Sequence, residues 1–172
     1  NFTAKGNTLY ANVNMANKYA SESEQLINVK PLLSSTQQRC RIRDCLAADF
    51  DSDGLVDLLV QCDDFCIMLW NQNGLFTALN SNVLTNIKHG DTFQAADFNA
   101  DGLIDLIINH SSSTTWVKAI NTGSKDAALF AVSQIPELSS RQIKKQGDDD
   151  KLYACLTHDL NNDGMSDITV MC

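Results

Sequence analysis

Asp49-Phe-Asp-Ser-Asp-Gly-Leu-Val-Asp57 is an acidic loop sequence with Asp at positions 1, 3, 5 and 9 and Gly at position 6. The pattern returns as Asp97-Phe-Asn-Ala-Asp-Gly-Leu-Ile-Asp105 and as Asp159-Leu-Asn-Asn-Asp-Gly-Met-Ser-Asp167. Oxygen-bearing side chains at this spacing can surround one hard cation, because Ca²⁺ prefers many oxygen ligands and Gly allows the sharp turn. The repeats therefore predict three calcium loops.

The residues that flank each loop distinguish it from an EF-hand. An EF-hand has a bidentate Glu at position 12 and a helix on either side. Here position 12 is Val60, Ile108 or Val170, within short apolar runs of branched residues that predict buried strands. Each copy is therefore predicted to be a β-hairpin with a metal loop at its tip.

The cysteines are spaced evenly about two of the loops. Cys45 and Cys62 flank the first loop and Cys155 and Cys172 flank the third, each pair 17 residues apart. If the hairpins pair symmetrically about their loops, these cysteines face one another across the ladder. Cys40 and Cys66 lie further from the first loop, at nearly mirrored positions on either side of it. We therefore predict the disulfides Cys45–Cys62, Cys40–Cys66 and Cys155–Cys172.

Two other cysteine arrangements stay open. The six cysteines allow many pairings, including the local bridges Cys40–Cys45 and Cys62–Cys66. The same two close pairs loosely resemble a four-cysteine zinc site. A zinc site does not account for the matched cysteines around the third loop, whereas hairpin disulfides explain both pairs.

Composition favours an extracellular protein. N-glycosylation sequons begin at Asn1 and Asn109, and with an even cysteine count they fit an oxidising secretory route. The formal net charge of −8 disfavours nucleic acid and anionic membrane surfaces as partners. No apolar run reaches the length of about 18 residues that a membrane span needs, so we expect no membrane insertion in this segment.

Strand and turn signals continue between the loops. Phe65–Trp70 predicts a third strand, Asn71–Gly74 a turn with an Asn-Gly hairpin signal, and Leu75–Leu79 a fourth strand. The second copy repeats this order with Thr114–Ile120, Asn121–Gly123 and Ala127–Val132. A recurring four-stranded sheet is typical of a propeller blade.

Together these motifs resemble the FG-GAP or VCBS-type repeat of calcium-binding β-propellers, including the head of integrin α subunits. The resemblance rests on Asp-x-Asp/Asn-x-Asp-Gly-x-x-Asp between two strands, recurring every 48 to 62 residues. It implies an all-β fold of propeller blades, each a four-stranded antiparallel sheet, with calcium-binding hairpin loops. The blades are expected to be partial or completed by other chain segments.

The resemblance also implies the ligands of about three Ca²⁺ ions. Side chains at positions 1, 3, 5 and 9 and the backbone carbonyl at position 7 would hold each ion. The implied ligands are Asp49, Asp51, Asp53, Leu55 and Asp57; Asp97, Asn99, Asp101, Leu103 and Asp105; and Asp159, Asn161, Asp163, Met165 and Asp167. Because Asn99 and Asn161 each remove one charge, we expect the second and third sites to bind more weakly than the first.

The strand order divides the chain into segments. We expect 1–37 to supply end strands of a preceding blade, 38–85 and 86–147 to be blades with the first and second loops, and 148–172 to be the first hairpin of a further blade. Residues 26–33 are alternatively partly helical. Half-blades at both ends indicate either a segment of a longer propeller or halves that complete one another between chains.

Two classes of function fit these features. The first is a calcium-stabilised extracellular recognition, adhesion or scaffold module that binds a protein or a glycan, with assembly into a homo-oligomer or filament as a variant. The alternative is a carbohydrate-active enzyme domain of lyase or hydrolase type. Its candidate residues have no distinctive spacing and are Lys118, Arg141, Lys144, Lys145 and Tyr153. We expect a module without enzymatic activity.

We expect the His and Trp residues to have structural rather than catalytic roles. We expect His158 to be a strand residue beside the third loop, and His89 and His110 to be solvated. Trp70 and Trp116 occupy comparable third-strand positions, where aromatic side chains usually pack within a blade.

Peptide mapping without reduction is expected to find Cys155 joined to Cys172, because both flanking pairs share the separation of 17 residues. Six free thiols would contradict an oxidising compartment and would favour zinc instead.

Overall fold

A computed structural model of the chain describes residues 2–5, 8–12, 24–79, 82–111, 116–136 and 154–171. Over these residues the chain forms strands and one short 3-10 helix, Lys30–Leu32. The strands are β1 (Phe2–Lys5), β2 (Thr8–Asn12), β3 (Glu24–Asn28), β4 (Asp44–Ala48), β5 (Asp57–Gln61), β6 (Phe65–Gln72), β7 (Leu75–Ala78), β8 (Leu84–Thr85), β9 (Thr92–Ala96), β10 (Asp105–Asn109), β11 (Trp116–Asn121), β12 (Phe130–Gln134), β13 (Ala154–His158) and β14 (Asp167–Met171). The predicted all-β class is confirmed.

Two antiparallel meanders correspond to the predicted blades. One has the strand order β4-β5-β6-β7, with β8 added against β6, and the other has the order β12-β11-β10-β9. The third loop lies between β13 and β14, which pair as a hairpin, and β1-β2-β3 form a three-stranded sheet. The four-stranded antiparallel arrangement expected of propeller blades is therefore confirmed.

Two boundaries differ from the sequence-based expectation. The fourth strand of the second blade begins at Phe130 rather than Ala127, because Leu129 N donates to Asp126 O (3.1 Å) within the preceding turn. The helical alternative for 26–33 holds only for one 3-10 turn, which has Pro near its start. The residues before that turn form β3, which pairs with β2.

The inner strands are buried on both faces. All of β5 is buried, as are five consecutive residues of β6 and the first four of β10. Continuous apolar runs predict such strands, because a strand covered on both faces needs no polar alternation. A core cluster consists of Val29, Leu33, Cys40, Ile42, Leu58, Val60, Cys62, Ile67 and Leu69. Each large aliphatic side chain in it stabilises the fold by about 1.5–3 kcal/mol.

The chain forms two compact units. The first comprises Asn1–Ala47 and Asp57–His89, and the second comprises Ala48–Val56 and Gly90–Cys172. Residues 49–56 of the first loop thus belong to the unit that contains the second blade. The predicted division into 1–37, 38–85, 86–147 and 148–172 stays a prediction.

The disulfides predicted for the first hairpin are wrong. Cys40 is bonded to Cys62, so neither Cys45–Cys62 nor Cys40–Cys66 is present. The reason is the register of the ladder. Arg43 N donates to Gln61 O (2.8 Å), so Arg43 rather than Cys45 lies level with the end of β5. The bridge also excludes a zinc site that uses both cysteine pairs.

The ladders of the other two hairpins are also offset from symmetric pairing. Asp105 at position 9 pairs with Ala96, the residue before the loop, and Asp167 pairs with His158 in the same way. The ladders are therefore not symmetric about their loops. Cys155 lies opposite Val170 in this register. The partner predicted for it lies outside the described residues, so the Cys155–Cys172 bridge stays a prediction.

Cys45 has a free thiol. Burial, with a smaller contribution from the negative charge of Asp44, raises the pKa of the Cys45 thiol to about 12. Such a thiol is not a nucleophile at neutral pH, because the thiolate is the reactive form.

Replacing both bridged cysteines, Cys40→Ala with Cys62→Ala, is expected to lower the free energy of unfolding by about 3 kcal/mol, because the bridge closes a loop of sequence separation 22. Cys45→Ala is the matched control, with an expected loss of about 1 kcal/mol. Denaturant unfolding without reductant measures both. A double variant as stable as the parent would rule out this bridge.

Candidate metal centre

Backbone N–H groups close each loop onto the carboxylate at position 1. Asp49 accepts hydrogen bonds from the N–H groups of Asp53 (3.1 Å) and Gly54 (2.9 Å). The equivalent bonds join Asp97 to Asp101 and Gly102 (3.3 and 2.9 Å) and Asp159 to Asp163 and Gly164 (3.1 and 2.9 Å). The loops therefore share one fold, as their shared sequence pattern predicts.

Position 6 requires Gly because of its backbone conformation. Gly54, Gly102 and Gly164 have φ of 87°, 85° and 87°. This left-handed region is strained for residues that have a Cβ atom. The conformation turns the chain back toward the second strand of the hairpin.

Position 9 is a buried carboxylate that binds the third strand of its blade. Asp57 and Asp105 are both 0% exposed. Asp57 Oδ1 accepts the N–H of Asn71 (2.8 Å), and Asp105 Oδ1 accepts the N–H of Asn121 (2.7 Å). Asp105 Oδ2 also accepts the N–H of Phe98 (3.0 Å). The carboxylate at position 9 therefore stabilises the blade. The sequence had predicted it only as a metal ligand.

The electrostatics around Asp105 favour a bound cation. Burial raises the pKa of the Asp105 carboxyl above its ordinary value. The N–H groups of Asn121 and Phe98 act in the opposite direction, and the charges of Asp101 and Asp97 raise the pKa further. A divalent cation beside these carboxylates would favour their ionised forms.

The first loop brings three predicted ligands together. Oxygens of Asp49, Asp51 and Asp57 lie within 4.8 Å of one another. This spacing fits a calcium ion, because ligands about 2.3–2.6 Å from Ca²⁺ on opposite sides are about 5 Å apart. Asp53 is outside this group and exposed, and its Oδ1 accepts the N–H of Leu55 (2.8 Å). The roles of Asp53 and of the Leu55 carbonyl stay predictions.

In the second and third loops, an amide replaces one carboxylate. Asn99 Oδ1 accepts the N–H of Asp101 (3.1 Å), and Asn99 Nδ2 donates to Asp101 Oδ2 (2.8 Å). Asn161 makes the same two bonds to Asp163, both of 3.0 Å. The amide thus donates a hydrogen bond at a position where a fourth carboxylate would repel the others. All ten predicted ligands of these two loops stay predictions, including the carbonyls of Leu103 and Met165.

The loops are linked to one another within the second unit. Ser52 Oγ donates to Gly102 O (3.1 Å), which joins the first loop to the second. Ser166 N donates to Asp97 O (2.9 Å), which joins the third loop to the second. Adjacent loops therefore support each other's backbone.

Asn121 and Lys125 of the second blade also contact the first loop. Asn121 Nδ2 donates to Phe50 O (2.8 Å), and the rings of Phe50 and Phe130 meet edge to face at 6.1 Å. The Lys125 ammonium forms an ion pair with Asp51. From the sequence, Asn121 was predicted to begin a turn. No role was predicted for Lys125. The role of Asn121 could have been found from the sequence, because Asn recurs at the equivalent third-strand position, Asn71.

The His residues occupy different settings. His89 and His158 are exposed. His110 was expected to be solvated, but its Nδ1 lies 2.9 Å from Oδ2 of Asp91, whose side chain is 0% exposed. Ser111 N and Oγ both donate to Asp91 Oδ1, at 2.8 and 3.0 Å. Asp91 therefore joins the ends of β9 and β10.

Other predicted residues fall into two groups. Trp70 and Trp116 are buried as expected, Lys118 is exposed on β11, and Asn109 is half-buried at the end of β10. The remaining predicted residues, Asn1, Arg141, Lys144, Lys145 and Tyr153, lie outside the described residues. Within the described part of the chain, no helix is long and apolar enough to cross a membrane.

Comparison with known families finds a match in the region of the first two loops. Residues 49–108 match the family model of the FG-GAP-like repeat. The match begins at the first loop, includes the second loop and ends in β10, so it covers one full repeat period. Neither a curated protein nor a solved structure matches the chain. Antiparallel blades and an FG-GAP-like repeat together indicate a propeller-type module.

In calcium-free protein, Asp105→Ala is expected to lower the free energy of unfolding by about 3 kcal/mol, because it leaves the N–H groups of Asn121 and Phe98 without their acceptor. Asp101→Ala, in the same loop but exposed, should cost about 1 kcal/mol or less. Urea unfolding in chelator measures both. Equal losses would show that position 9 has no special structural role.

Proposed function

We propose that the chain is a calcium-stabilised extracellular recognition or scaffold module that binds a protein or a glycan. The observation that carries the proposal is the first loop, where oxygens of Asp49, Asp51 and Asp57 lie within 4.8 Å of one another. The FG-GAP-like repeat at residues 49–108 supports it, since such repeats build propeller-type modules often found in adhesion proteins.

The metal would act on stability rather than on chemistry. Each loop concentrates carboxylates in one tight turn, where like charges disfavour their ionised forms. Bound Ca²⁺ supplies positive charge and joins the two strands that flank the loop. At a free calcium concentration a hundredfold above Kd, the stabilisation is about 2.7 kcal/mol per site, provided that the unfolded chain does not bind the ion.

An extracellular setting fits the same observations. The Cys40–Cys62 disulfide needs an oxidising compartment. Extracellular calcium modules bind weakly, with Kd of about 10⁻⁴–10⁻³ M, and are saturated only where calcium is abundant. The net charge of −8 argues against nucleic acid as the partner.

The third loop favours a second candidate function, assembly through completion of half-blades. Phe50 at position 2 of the first loop is 0% exposed, because it packs against Phe130 of the second blade. In the third loop, Leu160 at position 2 is 67% exposed and Met165 is 41% exposed. This apolar surface fits a neighbouring blade, which a second copy of the chain would supply in a homo-oligomer or filament.

The alternative of a carbohydrate-active enzyme has weaker support. Of its candidate residues, Lys118 is exposed on β11, and the others lie outside the described part of the chain.

Native mass spectrometry and calorimetry, with calcium and then with chelator, test the proposal. We expect about three bound ions and, at a hundredfold excess of free calcium over Kd, a rise in Tm of about 15–30 °C. Asp53→Ala should lose about one ion and part of that rise, whereas Asp64→Ala, an exposed acid outside the loops, should change neither. Identical melting in calcium and chelator would contradict the proposal. A calcium-dependent dimer or open polymer would favour assembly over a monomeric recognition module.

A further inference from the structure

The first loop differs from the other two in its charge. Its side chains at positions 1, 3, 5 and 9 are all carboxylates, with a formal charge of −4, whereas Asn at position 3 gives the other two loops −3 each. Charge alone therefore predicts tighter binding by the first loop.

The structure compensates for this extra charge. In the second and third loops, the amide Nδ2 at position 3 donates to the carboxylate at position 5, at 2.8 and 3.0 Å. Asp51 at position 3 of the first loop has no N–H to donate from its side chain. Instead, its Oδ2 accepts a hydrogen bond from the Lys125 ammonium. The Asp51 side chain is only 9% exposed, so the pair is partly shielded from water on the loop side.

Lys125 is presented by a well-bonded turn of the second blade. Thr122 Oγ1 donates to Ala128 O, Ser124 Oγ donates to Asp126 Oδ1, and Ala128 N donates to the same carboxylate oxygen, each at 2.8 Å. The bonds from Ala128 N and Ser124 Oγ hold the pKa of the Asp126 carboxyl below its ordinary value. The approach of the ammonium to Asp51 is therefore set by the turn.

The base of this turn is also fixed against the first loop. Asn121 binds the carbonyl of Phe50 at 2.8 Å, and Phe130 packs on the Phe50 ring. The two contacts lie on either side of Lys125 in the sequence. The turn therefore cannot move away from the first loop without breaking both.

We propose that Lys125 is a built-in counter-cation of the first loop, which lowers the affinity of that loop for a divalent cation to the level of the other two. The proposal rests on the calcium function proposed above. The ammonium brings the formal charge around the first loop from −4 to −3. It occupies one oxygen of Asp51 and repels the doubly charged ion. Calcium occupancy of one blade's loop thereby depends on a turn of the next blade.

Calcium titration calorimetry on the full chain tests this role. Lys125→Met should raise the calcium affinity of one site by about threefold to tenfold, the range expected for removing one partly exposed charge near a divalent ion. Lys125→Arg, which keeps the charge, should stay near the parent. Lys118→Met is the matched control, because it removes an exposed Lys elsewhere on the second blade, and it should change affinity by less than about twofold.

A double-mutant cycle assigns the effect to the first loop. Asp51→Asn gives this loop the same position-3 residue as the other two loops. In that background, Lys125→Met should change affinity by less than about twofold, because the ion pair with Asp51 is what holds the exposed ammonium close enough to repel the ion. An effect as large as in the parent background would overturn the proposal.

The outcomes separate this inference from the function on which it rests. If the parent binds calcium and Lys125→Met binds with equal or lower affinity, Lys125 is not a counter-cation. If the parent chain binds no calcium, the calcium function itself is wrong.

Discussion

A buried carboxylate at the end of the first loop and of the second loop is the constraint on which the two blades depend. Asp105 has lost its contact with water, so both of its oxygens need protein donors or a cation. The donors are Phe98 at the start of its loop and Asn121 at the end of the third strand. One side chain therefore joins the loop and two strands. Asp57 binds Asn71 in the same way in the first blade.

This bonding continues from one loop to the next. Asn121, which is held by Asp105 through its backbone, uses its side-chain amide to bind the carbonyl of Phe50 in the first loop. Ser52 and Ser166 add direct bonds to the second loop. A cation in one loop would consequently stabilise contacts made by its neighbours. The repeated loops of the sequence thus contact and support one another within the second unit.

Local features were predictable from the sequence, because the groups that determine them are close in the chain. The position-1 carboxylate closes its loop onto N–H groups four and five residues later, and Gly at position 6 permits the turn. Apolar runs likewise identified β5 and β10. Contacts between distant residues were not predictable, as for Lys125 with Asp51, 74 residues apart. The disulfide prediction failed for a related reason, since the ladder places Arg43 rather than Cys45 level with the end of β5.

The proposed cation in each loop is tested most directly by anomalous diffraction from crystals grown with a lanthanide in place of calcium. The predicted result is a strong peak in each loop, bonded in the first to the carboxylates of Asp49, Asp51 and Asp57. Well-ordered loops without such peaks would contradict the account, because hydrogen bonds alone would then hold the loops closed.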